Sequence, residues 1–210
     1  MRFLITTGPT REPIDAIRYI SNPSTGRMGF AVAQAALEAG HSAIVIAGPC
    51  SATPPPGAEL VPVVTTDDML RAVLERLDEA DVLVAAAAPC DFRPAEPTDL
   101  KIKKTPDGLT LRLEPTPDIL LEAAALKGRR VHIGFALEVQ DALASALGKL
   151  SRKKLDAIVL NSPAAFGADQ SDVVIIHAGG AEEPMSGASK LDIARRLVQL
   201  ASRLWESKNA

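Results

Sequence analysis

Three groups of residues have the types and spacing to do chemistry. The first is Ser24-Thr25-Gly26-Arg27-Met28-Gly29, where Gly26 and Gly29 flank the start of a helical pattern behind two hydroxyls. Glycines let backbone approach an anion closely, and a helix N-terminus presents unpaired N–H donors. A capped helix with glycines serving turn geometry explains the same pattern equally well, because G-x-x-G is a weak signal. The second group is Lys101-Ile102-Lys103-Lys104, on the loop that follows Asp91-Phe92-Arg93. These lysines suit a lid closing over a polyphosphate, where an ammonium acts as a point charge. A solvated surface run is the commoner origin of such a stretch. The third group is Lys149 and Lys153, i and i+4 on one helical face, which could clamp one anion. A cationic helix C-terminus complementing the macrodipole is the plainer alternative.

Other chemistry is excluded by what the spacing lacks. Gly8-Pro9-Thr10 follows the first strand pattern, where a dinucleotide-binding protein would carry G-x-G-x-x-G, and that fingerprint is absent. His41, His132 and His177 have no second ligand at metal spacing, so no metal site is expected. Cys50 and Cys90 form no C-x-x-C pair, and Cys90 has no histidine partner placed beside it in sequence. No G-x-S-x-G elbow exists, which disfavours a hydrolase triad. The 23 basic against 26 acidic side chains argue against a general nucleic-acid binder. Aromatic residues at 3% leave too few stacking platforms for single strands. No apolar run approaches the ~18 residues of a membrane span, and the apolar start is too short for a signal peptide. The cytoplasm is the expected compartment.

These residues need a scaffold, and the hydrophobic pattern supplies one. Strands are expected over Arg2–Thr7, Ser42–Ala47, Glu59–Val64, Asp81–Ala87, Val131–Ala136 and Asp156–Leu160. An edge strand is expected over Val173–His177 and a half-buried strand over Leu109–Leu113. Helices are expected over Met28–Ala39, Asp67–Ala80 capped by Thr66, Pro117 to about Lys127, Gln140 to Lys153, and Ser189 to about Ser207. Residues 8–27 read as a polar excursion. Residues 89–106, rich in proline and charge, read as an exposed, mobile flap. The expected fold is α/β: a Rossmann-like, doubly wound, mostly parallel sheet with a long flap loop and a small antiparallel addition, in one domain over residues 1–210. Ligands would bind at the C-terminal ends of the strands.

Taken together, the segments Ile5 to Asp15, Arg18 to Asn22, Ser24 to Gly29, Ala87 to Arg93, Lys101 to Lys104 and Gly134 to Ala136 resemble the phosphopantothenoylcysteine synthetase family (phosphopantothenate–cysteine ligase). In many bacteria that ligase domain is fused behind a flavin-dependent decarboxylase. The resemblance implies a reaction in coenzyme A biosynthesis. The carboxylate of 4′-phosphopantothenate is activated by a nucleoside triphosphate, with release of pyrophosphate. Cysteine then attacks the acyl-nucleotidyl intermediate and releases the nucleoside monophosphate. CTP with magnesium is expected ahead of ATP, and no flavin is expected in this chain.

The resemblance also assigns residues. Asn22 and Lys101 are implied as catalytic, Lys101 on a flap that closes from the partner subunit of a homodimer. Gly8, Ser24, Gly26 and Gly29 are implied in phosphate cradling. Ala85, Ala86, Ala87, Asp91, Phe135 and Asn161 are implied as base and ribose contacts, and Lys149, Lys153 and Lys101 as triphosphate contacts. Arg18, with Asn22, is implied in binding phosphopantothenate. A separate decarboxylase is an implied partner. The chain departs from the family pattern at Pro89-Cys90, at Val139, at Ser162 and in the turn Gly167–Asp172. Two alternatives stay open. One is an NAD(P)-dependent oxidoreductase of extended Rossmann type, which the missing fingerprint disfavours. The other is a non-catalytic nucleotide-binding paralogue.

Overall fold

A computed structural model describes residues 1–137, 141–161 and 170–210. The departures at Val139 and Ser162, residues 167–169 of the 167–172 turn, and the expected helix start at Gln140 lie outside the described residues. From β1 (Arg2–Thr7) the chain passes through a hairpin of β2 (Arg11–Pro13) and β3 (Tyr19–Ser21) into α1 (Arg27–Glu38). Next come β4 (Ser42–Ala47), β5 (Glu59–Pro62), α2 (Thr66–Arg76) and β6 (Val82–Ala85), then β7 (Phe92–Pro94), β8 (Leu113–Pro115) and α3 (Ile119–Ala125). The chain continues as β9 (Val131–Leu137), α4 (Ala142–Arg152), β10 (Ala157–Asn161), β11 (Gln170–His177), β12 (Glu182–Ser189) and α5 (Lys190–Asn209).

The main sheet has the order β12-β11-β10-β9-β6-β1-β4-β5. The six strands from β5 to β10 are parallel, and β11 and β12 add antiparallel. Alternate residues of each parallel strand enter different cores, which explains their continuous apolar sequence. Phe3, Ile5, Val45, Val84, Ile133 and Val159 pack under α1 and α5. Leu4, Ile44, Ile46 and Leu83 pack under α2 and α3, and Ile158 and Ile176 pack against α4. Both faces are therefore covered, as the Rossmann-like expectation required. The chain winds from β1 outward to β4 and β5, then crosses to β6, β9 and β10 on the other side. The reversal falls between β1 and β6, where an open α/β sheet leaves a crevice for ligands.

Several elements differ from expectation, each for a local reason. The 8–27 excursion contains the β2–β3 hairpin, paired from Arg11↔Ser21 to Pro13↔Tyr19. Three-residue strands are too short to show a period. Thr65, not Thr66, caps α2: its hydroxyl accepts from the Asp68 amide at 3.1 Å, and the Asp68 carboxylate accepts from the Thr65 amide at 3.1 Å. Thr66 instead donates its backbone N–H (2.8 Å) and hydroxyl (2.7 Å) to Glu12, a carboxylate only 2% exposed. The small antiparallel unit exists, but it pairs β7 with Leu113–Pro115 rather than using Leu109–Leu113. Val173–His177 is not an edge, since β12 covers it, and Pro184 and Gly187 concealed that strand in the sequence. The 89–106 flap carries β7 within it, and Arg93 ties that strand to Glu114 at 2.9 Å and to Asp67 of α2 at 2.5 Å.

Candidate functional site

The site lies where β1 and β6 diverge. The loop after β6 is tied to the end of β1 by backbone bonds from Ala86 to Thr6 (3.2 Å) and from Ala88 to Gly8 (2.9 Å). The Cys90 amide reaches the Thr10 hydroxyl at 2.9 Å. The Asn22 side chain then fixes the far end of that loop. Its Nδ2 donates to the carbonyls of Ala88 (3.2 Å) and Pro89 (3.0 Å). The amide NH2 is thereby committed, and the Oδ1 is the atom left to meet a ligand.

A cavity of about 540 Å³ opens against this loop. Asn22, Ser24, Gly26, Ala86, Ala87, Asp91, Phe135, Lys149 and Asn161, all anticipated from sequence, line it together. Asn22, Asp91 and Phe135 thus face one space although they come from the hairpin exit, the β6 loop and β9. A neighbouring cavity of about 360 Å³ shares Ala87, Asp91 and Phe135 with it and takes in Ala85 and Lys153. Lys149 and Lys153 therefore border different cavities, and Lys153 is paired with Asp118 at 2.9 Å. The two spaces adjoin through Ala87, Asp91 and Phe135, so the lysines stand at neighbouring parts of one crevice.

Four other anticipated residues lie outside the cavity lining. Gly29 sits inside α1 against β1, where a Cβ would come within 2.4 Å of the Thr7 side chain. Its absence of a side chain lets α1 approach the strand. Gly8 does similar work beside the Gly48 carbonyl. Arg18 is turned onto Asp15 and the Ile102 carbonyl, and Lys101 is exposed on the flap. Gly26, at the cavity wall, has φ 79°, a conformation that suits glycine, and its carbonyl accepts from the Thr7 hydroxyl at 2.7 Å. As N-cap of α1 it supplies no side-chain bond, so the first N–H groups of that helix have no side-chain cap.

Two cations in the lining escaped sequence analysis. Arg27 is the first residue of α1 and Lys190 the first of α5, and both face the cavity. A cation in the first turn opposes the helix macrodipole. That unfavourable placement was the available signal. With Lys149, three basic side chains and one carboxylate, Asp91, stand among the described lining residues. No group of three or more metal-ligating side chains occurs among the described residues. Asp91 is the carboxylate among the described lining residues that a hard cation could meet. Cys90, buried behind Asn22, has its thiol pushed up chiefly by burial, with Glu12 and Asp91 adding to the effect. A raised thiol is a poor nucleophile.

The chain is similar to known proteins over nearly its whole length. The family described as "DNA/pantothenate metabolism flavoprotein C-terminal domain" matches residues 1–204. The coenzyme A biosynthesis bifunctional protein CoaBC of Bacillus subtilis is 43% identical over 201 residues, covering 93% of this chain and 50% of that protein. Its Haemophilus influenzae counterpart is 38% identical over 198 residues, 92% of this chain and 49% of that protein. The chain thus spans about half the length of these curated relatives. The crystal structure of the C-terminal domain of a coenzyme A biosynthesis bifunctional protein CoaBC superposes with a TM-score of 0.86 at 32% identity, covering 98% of this chain and 96% of that one. On the family match and the close relatives together, the chain belongs to the DNA/pantothenate metabolism flavoprotein C-terminal domain family.

Proposed function

We propose that residues 1–210 form a phosphopantothenate–cysteine ligase domain of coenzyme A biosynthesis. The observation that carries this is the shared cavity of Asn22, Asp91, Phe135 and Lys149 at the β1–β6 crevice, flanked by the N-termini of α1 and α5. The kinship with coenzyme A biosynthesis bifunctional proteins supports it. CTP is the preferred nucleotide in this reading, entering with magnesium, and the protein works as a cytoplasmic homodimer beside a separate decarboxylase. The free thiols Cys50 and Cys90 agree with a reducing compartment.

The chemistry follows from the charges. A carboxylate is a poor electrophile until a good leaving group is attached. The carboxylate oxygen of phosphopantothenate attacks the α-phosphorus, the α–β phosphoanhydride bond breaks, and pyrophosphate departs. Arg27, Lys149 and Lys190 stand where that departing charge needs neutralising. Ser24 and the Gly26–Arg27 backbone cradle phosphate oxygens at the start of α1. Ala86 and Ala87, lacking bulk, let the base and ribose lie against backbone beside Phe135 and Asn161. The cysteine amine then adds to the acyl carbon, the acyl–phosphate bond breaks, and the nucleoside monophosphate leaves. Asn22 Oδ1, oriented by the bonds of Nδ2, accepts from the attacking amine and holds its lone pair toward the acyl carbon. Lys101 comes in on the flap.

The test uses purified protein with CTP, magnesium and phosphopantothenate, assayed for pyrophosphate, followed by addition of cysteine. Pyrophosphate release dependent on phosphopantothenate, and amide product and CMP on adding cysteine, are the expected results. No pyrophosphate with any of the four nucleoside triphosphates would overturn the proposal.

A further inference from the structure

The flap is not loose where it passes Lys101. The tip of the β2–β3 hairpin is a tight turn in which Asp15, its side chain fully buried, accepts from the amides of Ile17 (2.9 Å) and Arg18 (2.8 Å). The same carboxylate is bonded to the Arg18 guanidinium through Nε at 2.9 Å and also through Nη2. These donors hold the Asp15 carboxyl well below the ordinary carboxylate range, the Arg18 side chain first among them. The pair then reaches across the molecule. The Ile102 amide donates to Asp15 Oδ2 at 3.0 Å, and the Ile102 carbonyl accepts from Arg18 Nη2 at 2.7 Å. A third bond, from the Thr98 amide to the Ile14 carbonyl at 3.2 Å, ties the flap to the same turn. Both backbone groups of the residue beside Lys101 are thus gripped by one ion pair.

We infer that Asp15 and Arg18 form a two-point latch that positions the Lys101 flap, and that they are positioning residues. Charge-assisted bonds to backbone are among the stronger ones, and a bidentate hold fixes direction as well as distance. The hairpin that carries the latch continues through β3 directly into Asn22. One rigid turn therefore sets the placement of both the flap lysine and the loop-gripping amide. The assignment also changes what Arg18 does: its guanidinium is engaged by the flap rather than turned into the cavity. The inference rests on the ligase reading only for what Lys101 meets, and not for the latch itself.

Hydrogen exchange of the 98–108 segment, read by mass spectrometry on the full chain without ligands, tests the latch independently of activity. In the wild type the Ile102 amide should exchange at least 10-fold more slowly than neighbouring exposed amides of the segment. Arg18→Gln should remove that protection in the folded protein, and Arg18→Lys should restore part of it. If turnover is present, Arg18→Gln and Lys101→Gln should each lower kcat with modest change in KM, and the double variant should be no worse than the poorer single one. An unprotected Ile102 amide in the wild type overturns the latch even if every variant fails to fold. So does an Arg18→Gln protein that keeps its protection but raises KM for phosphopantothenate, which would make Arg18 a direct substrate contact. Absence of turnover in the wild type, with exchange as expected, would fault the ligase reading and leave the latch standing.

Discussion

The orientation of the Asn22 side chain is set by groups far along the sequence. Its position at the site was legible from the motif around it, but the commitment of Nδ2 to Ala88 and Pro89 was not, because those carbonyls arrive from 66 and 67 residues away. Asn22→Asp keeps the shape and replaces that donor by a charge facing two carbonyl oxygens. The loop should shift, and kcat should fall by roughly 10²-fold or more, the range for a lost preorganised polar group. A variant with wild-type kcat would show that the amide does not organise the site. Lys149 and Lys153 give a second contrast. The i,i+4 spacing was visible in sequence, but the Asp118 carboxylate that pairs with Lys153 was not. Lys149→Gln should raise KM for the nucleotide about 10-fold. Lys153→Gln should change KM less, costing at most about 1 kcal/mol of stability as a partly exposed ion pair. Equal KM effects would show that the two lysines hold one anion together.

At the scale of elements, the parallel strands were legible as short continuous apolar runs, and the covering helices by their helical period and capping residues. The β2–β3 hairpin, β8 and β12 were not, being either three residues long or interrupted by proline and glycine. The α2 N-terminus was displaced by one residue because two adjacent threonines both satisfy capping chemistry locally. The structure separates their roles. Thr65 caps its own helix, whereas Thr66 joins a buried chain from Glu12 through its hydroxyl to Thr10, 2.9 Å away, and on to the Cys90 amide. Glu12 serves as a cap in trans, placing a carboxylate at the helix dipole's positive end. Glu12→Ala leaves the Thr66 amide and hydroxyl without that acceptor and should cost about 2–3 kcal/mol, read from denaturant unfolding. Thr65→Ala, which removes an ordinary cap, should cost about 1 kcal/mol. If Glu12→Ala costs no more than Thr65→Ala, the trans cap does not anchor the hairpin that leads to Asn22.

Across the whole molecule, the two ends of the sheet carry different burdens. The C-terminal end holds the cavity and its cations. The opposite end holds a compact charge cluster in which Asp156 takes ion pairs from Lys127 (2.9 Å) and Lys208 (2.6 Å) and also accepts from the His132 backbone amide (2.8 Å). The His132 ring lies fully buried beside that cluster, and neither ring nitrogen has a partner. Burial, reinforced by the charge of Lys127, pulls its pKa down from 6.5 to about 3. Above pH 6.5 the ring is neutral in folded and unfolded chains alike and stability does not depend on it. Between pH 6.5 and about 3 the unfolded chain binds a proton that the folded one refuses, so stability falls by up to about 1.4 kcal/mol per pH unit. His132→Leu removes that linkage together with two unsatisfied buried polar atoms. The variant should be more stable than wild type at pH 5 by a larger margin than at pH 7.5, while kcat and KM at pH 7.5 stay unchanged, because the substitution lies at the strand end remote from Phe135 and Leu137. Parallel stability curves for the two proteins between pH 7.5 and 4.5 would mean that the ring takes up its proton in the fold as readily as in the open chain. A changed KM would mean that the two ends of the sheet are coupled rather than separate.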